Sequence, residues 1–62
     1  MPIITLEIGP QSTEQKEKLI VALTKAVCDV TGMPPEAMMV LIHELSRDNM
    51  GLSGQQMSKM KF

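Results

Sequence analysis

Residues 12–35 read STEQKEKLIVALTKAVCDVTGMPP, a stretch with helix punctuation at both ends. Ser12, with Gln15 three residues on, fits a capping box. In that motif the N-cap hydroxyl and the later side chain each satisfy a free backbone N–H. At the other end Gly32 suits the left-handed position that stops a helix, and Pro34-Pro35 forbid continuation. The punctuation predicts a helix over 13–31. Leu19, Ala22, Leu23, Ala26, Val27 and Val30 recur at spacings of three and four, which gives one apolar stripe. Glu14, Lys16, Glu17 and Lys18 make a wet start, and Glu14–Lys18 is an i,i+4 pair in the favourable order.

Working outward, Pro2-Ile3-Ile4-Thr5-Leu6-Glu7-Ile8 is short, β-branched and closed by Gly9-Pro10, which predicts a strand over 2–8. Proline can open a strand, where no ladder donor is needed. Residues 38–45, Met38-Met39-Val40-Leu41-Ile42-His43-Glu44-Leu45, predict a second strand. They are almost continuously apolar, so both faces should be covered. Ser46–Asn49 reads as a loop, and Gly51-Leu52-Ser53-Gly54 as a bend or small hairpin that docks on another chain. Strand, long helix and strand make a βαβ unit with parallel strands and a right-handed crossover. The fold class is therefore α/β, of the α+β kind: one βαβ unit with a short C-terminal hairpin, a single domain over residues 1–62.

Composition narrows the function. Sixty-two residues allow one small domain. Chains below about 70–80 residues usually need a staple: disulfides, a metal or association. One cysteine, Cys28, excludes an internal disulfide, and one histidine, His43, leaves no structural zinc set. Association remains. Ile3, Ile4, Met38, Val40 and Ile42 cannot all be buried in one βαβ unit, so its open face should close on another copy. Net charge is −1 and the one aromatic is Phe62, which offers nucleic acid neither an electrostatic footprint nor stacking platforms. No apolar run reaches the roughly 18 residues a membrane span needs. The opening Met1-Pro2-Ile3-Ile4 lacks the basic start of a signal peptide. A lone thiol suits a reducing compartment, and the expected location is cytoplasmic.

A βαβ chain of this size, with proline directly after the initiator methionine, resembles the 4-oxalocrotonate tautomerase family. The matching residues are Pro2-Ile3, Glu14-Gln15-Lys16, Leu19-Ile20, Pro34, Val40, Ile42, Glu44, Gly51 and Gly54, spread over nearly the whole chain. The resemblance implies a hexameric sheet-and-helix barrel, built from identical or occasionally two kinds of subunit. It implies removal of Met1, so that the Pro2 amine is the catalytic acid/base of an enol–keto isomerase acting on a small 2-hydroxy-enoate. No cofactor and no metal are implied. The chemistry is sound: burial disfavours an ammonium, and a base poised near the working pH transfers protons best.

The same resemblance marks departures. Where the family carries two carboxylate-binding arginines this chain has Gln11 and Met39, and the aromatic position holds Met50. Neither Gln nor Met copies a guanidinium–carboxylate pair. The substrate-binding candidates are thus Gln11, Met39, Met50 and Arg47, the chain's single arginine, and the resemblance points away from dicarboxylates. His43, Glu44 and Cys28 read as structural: a hydrogen-bonded strand histidine, a hydrogen-bond acceptor and a small packed side chain. Three functions stay open: a Pro2 tautomerase, an arginine-poor subunit of a heterohexamer, and a catalytically silent binding or structural protein.

Overall fold

The computed structural model describes residues 2–60. Strand β1 runs Ile3–Ile8, helix α1 Thr13–Thr31 and strand β2 Met39–Glu44. Strands β3 (Gly51–Leu52) and β4 (Gln55–Gln56) follow, with single 3-10 turns at Pro35–Ala37, Arg47–Asn49 and Met57–Lys59.

The helix begins and ends where its punctuation stands. Gln15 N donates to Ser12 Oγ at 3.1 Å and Ser12 N donates to Gln15 Oε1 at 3.4 Å, the reciprocal pair of a capping box. Gly32 has φ 76° and its N–H donates to the Cys28 carbonyl at 2.9 Å. A side chain there would be strained by the left-handed backbone.

Both long strands are shorter than expected, for local reasons. Pro2 has no N–H and joins the ladder only as an acceptor: Met39 N donates to its carbonyl at 3.1 Å. Met38 is lost from β2 because its N–H donates to Pro35 O at 3.1 Å, closing a 3-10 turn. At the far end Leu45 N still reaches Ile8 O at 2.8 Å. The expected loop at 46–49 is a 3-10 turn, capped by Ser46 Oγ, which accepts from Asp48 N at 3.2 Å. The hairpin forms on Ser53 (φ 54°) and Gly54 (φ 77°), two successive left-handed residues of the kind that suit a two-residue hairpin.

β1 and β2 pair in parallel, Ile3 opposite Met39 through to Ile8 opposite Glu44. Side chains alternate across the sheet. Ile4, Leu6, Ile8, Val40 and Ile42 are half-buried on the α1 side, while Ile3, Thr5, Glu7, Met39, Leu41 and His43 are exposed on the other. The expectation that both faces of β2 are covered is thus met on one face only within the chain. The helix stripe also needs correction. Leu19, Leu23 and Val27 face the sheet with Lys16, Thr24 and Cys28, but Ala22 and Ala26 are exposed and Val30 is 87% exposed. Two strands span only about 5 Å between their axes, too narrow to cover the whole stripe.

No described residue is fully buried. Ile3 is 57% exposed, Met39 41% and Leu41 40%, side by side on the bare sheet face. The radius of gyration is 14.9 Å, against about 11 Å for a compact chain of this length. A chain without a closed core should draw its stability from association, so its unfolding midpoint should rise with protein concentration. Thermal melts over a hundredfold concentration range test this. A concentration-independent midpoint with a 6.8 kDa particle in light scattering would contradict it.

Candidate active site

The parallel register sorts the candidate residues into two groups. Pro2 and Met39 stand together where both strands begin, joined by the Met39 N–Pro2 O bond of 3.1 Å. Pro2 is half-buried. Met1, whose removal would free the Pro2 amine, lies outside the described residues, as does Phe62. Charge is scarce at this end: residues 2–6 carry none, and residues 30–42 carry only Glu36.

Gln11 lies beyond the other end of the sheet, past Ile8. β1 alone puts about 17 Å between the two ends. Gln11 N donates to Glu44 Oε2 at 3.0 Å, and Lys16 Nζ donates to Glu44 Oε1 at 2.7 Å. The Gln11 side chain is half-buried, with Nε2 3.5 Å from the Gly9 carbonyl. It lines a shallow surface groove with Ile8, Gln15, Lys18, Leu19 and Ala22. That groove does not include Pro2.

Arg47 and Met50 also follow the far end of β2. Arg47 Nη2 donates to the Met57 carbonyl at 3.0 Å, which ties the turn after β2 to the C-terminal segment. Met57 N donates to Met50 O at 2.8 Å and Gln56 Nε2 to Asp48 O at 2.8 Å, closing the same loop. His43 sits opposite Glu7 on the bare sheet face, and Cys28 is half-buried on α1. Among the described residues no three His, Cys, Asp or Glu side chains group as a metal site. No helix among them is long and apolar enough to cross a membrane.

One structural feature escaped the sequence reading. Lys16 was expected on a solvated face and Glu44 as a generic acceptor; together with Gln11 they form a corner that binds β2 to the entry of α1. No local spacing links residues 28 positions apart. The register alone could have found them, since it puts Glu44 beside Ile8, three residues before Gln11.

The corner has a definite electrostatic state. The Lys16 ammonium, bonded to its side chain, holds the Glu44 carboxyl below the usual glutamate range. The Gln11 N–H acts the same way, and partial desolvation opposes both more weakly than they act. Lys16 and Glu44 together carry no net charge at neutral pH.

Comparison with known proteins gives consistent relatives. A family model described as Tautomerase enzyme matches residues 2–60. The 2-hydroxymuconate tautomerase of Bacillus subtilis is 32% identical over 62 residues, covering 98% of this chain and 100% of the relative. A probable tautomerase of Halalkalibacterium halodurans is 34% identical over 59 residues, 94% of this chain and 97% of the relative. Among solved structures, that of YwhB, a homologue of 4-oxalocrotonate tautomerase, superposes with a TM-score of 0.89 at 31% identity. It covers 97% of this chain and 100% of the other.

The Glu44 bonds carry a pH prediction. A carboxyl lowered in the folded state stabilises fully above its unfolded value, about 4.3, and that contribution fades as pH falls through the folded value. Wild type should therefore exceed Glu44→Gln in urea resistance at pH 7 and lose that margin by pH 3. An equal margin at both pH values would contradict the assignment.

Proposed function

This chain belongs to the tautomerase family and is an isomerase of the 4-oxalocrotonate tautomerase type; from that premise we propose that Pro2, freed of Met1, moves the proton in an enol–keto isomerisation of a small 2-hydroxy-enoate. The observation that carries the reading is the setting of Pro2. It opens β1, half-buried, with its carbonyl fixed by Met39 N and with apolar Ile3, Met38 and Met39 for neighbours in chain or register. An amine in such surroundings is disfavoured as ammonium, which keeps it available as a base.

The amine takes the proton from the enol hydroxyl, the enol oxygen becomes a carbonyl, and the ammonium returns a proton to the carbon chain. Atoms and charge balance with no further reagent. Met39, whose thioether side chain is exposed beside Pro2, offers apolar surface to the substrate tail, as Met50 can.

The second half of the reading is that the site is shared. Pro2 and Gln11 lie at opposite ends of one sheet and cannot meet in one chain. Both can meet where a second copy runs antiparallel to the first, which brings the Gln11, Arg47 and Met50 end of one to the Pro2 end of the other. The bare face of Ile3, Met39 and Leu41 supports such assembly, and a hexamer is the expected size. The lone thiol of Cys28 suits work in the cytoplasm.

Loss of a general base typically costs about 10²–10⁴ in rate. Pro2→Ala retains a primary amine, so its ketonisation rate on phenylenolpyruvate should fall at least about tenfold. An added residue before Pro2 should cost at least as much, because it turns the amine into an amide. An unchanged rate in either variant, read by the loss of enol absorbance, would remove Pro2 as the acid/base.

A further inference from the structure

The bare sheet face is not apolar throughout. Its side chains are Ile3, Thr5 and Glu7 from β1 and Met39, Leu41 and His43 from β2. The register sets them in rows, Ile3 with Met39, Thr5 with Leu41 and Glu7 with His43, so polarity rises from one end to the other. Glu7 and His43 are both exposed, on neighbouring strands about 4.8 Å apart. Among the described residues this face carries no lysine or arginine. The ion pairs those residues form, Lys16–Glu44, Lys18–Glu14 and Lys25–Asp29, leave Glu7 and His43 out. The charged groups that flank His43 are engaged elsewhere. Glu44 takes Lys16 of α1, Arg47 donates to the Met57 carbonyl, and Asp48 lies in the turn beyond β2. Glu7 is therefore the one charge that shares the face with this imidazole.

We propose that closing this face against a second copy takes up a proton at the Glu7–His43 pair, so that acid strengthens assembly and alkali weakens it. The inference rests on closure of the face by another copy and uses nothing of the Pro2 chemistry. The occupant is the same face of that copy. No described residue is fully buried and the radius of gyration is 14.9 Å, which leaves this face to supply the missing core, through Ile3, Met39 and Leu41. Such a copy brings the same six side chains and therefore no cation. Laid antiparallel, it sets Ile3 and Met39 over Glu7 and His43; laid parallel, it adds a second Glu7 and His43. Either way the carboxylate leaves water, which is costly for an unpaired charge. One added proton makes the pair neutral overall, whether it sits on the imidazole, as a charge-assisted hydrogen bond, or on the carboxyl. An imidazole in water gains its proton near about pH 6.5. Above that pH a separate chain presents a carboxylate beside a neutral imidazole, and closure must draw the proton from solution. Below it the imidazole is already charged, closure takes up nothing, and the stabilisation is fully present. As pH rises it is lost.

Sedimentation of a dilution series at pH 6, 7 and 8, at constant ionic strength, reads the concentration at which half of the protein is dissociated. For wild type it should rise at least about threefold from pH 7 to pH 8; a whole proton per subunit corresponds to about tenfold or more. Combining Glu7→Gln with His43→Gln keeps both positions polar but removes the titration, and should hold the change within about 1.5-fold. Glu7→Gln alone leaves an imidazole that burial keeps neutral, so the rise should vanish or reverse. Proton uptake is also read on wild type alone: heats of dilution at pH 7.5 in two buffers of different ionisation enthalpy should differ. Wild-type assembly without the rise, equal heats in both buffers, or a rise kept by the double variant would each overturn the inference and leave assembly itself standing. A chain that stays a 6.8 kDa particle at all three pH values would overturn closure of the face, and the inference with it.

Discussion

Two parallel strands and one helix can cover one side of a sheet and no more. The rest of this structure depends on that limit. Ile4, Leu6, Ile8, Val40 and Ile42 turn toward α1, which leaves Ile3, Met39 and Leu41 bare on the opposite face. Burying apolar surface contributes about 25 cal/mol per Å², so a bare apolar face is an unspent source of stability that a second copy can use. The extended shape, 42 × 24 × 18 Å, fits a building block better than a self-sufficient domain.

The same parallel pairing decides what the site can be. Parallel strands place both of their starts at one end, so Pro2 and Met39 stand together at a pole with almost no charge. Gln11, Lys16, Glu44, Arg47 and Met50 collect around the opposite pole, which is polar and internally paired. In the proposed mechanism one pole carries the amine for proton transfer and the other the groups that orient a substrate. In the proposed shared site, assembly does two things at once, covering the apolar face and bringing unlike poles together.

Much of the fold was legible in the sequence, wherever the signal was local. The capping box of Ser12 and Gln15, the left-handed stop at Gly32 and the Ser53-Gly54 turn act within a few residues, and each stands where its chemistry demands. The strand ends moved by one residue because Pro2 lacks a donor and Met38 spends its N–H on Pro35. The helix stripe misjudged Ala22, Ala26 and Val30 because periodicity reports an angle around the helix and not the width of the sheet beneath it. The catalytic reading of Pro2 comes only from resemblance to a family; composition cannot tell a catalytic proline from a strand opener. The Lys16–Glu44 pair was illegible, since no spacing rule reaches across 28 residues. The separation of Pro2 from Gln11 is a property of the register, and it emerges only once the strands are paired.

Subunit mixing tests the shared site most directly. Pro2→Ala lacks the proposed proton carrier, and Gln11→Glu puts an anion into the corner proposed to face the substrate; each should be slow on phenylenolpyruvate when assembled alone. If the poles of different copies make one site, unfolding the two variants together and refolding them as a mixture creates sites with both native residues. Random equimolar mixing restores activity toward about a quarter of wild type, since each native residue is supplied half the time at a symmetric interface. A mixture no more active than the average of the two parents would contradict the account and confine the site to a single chain.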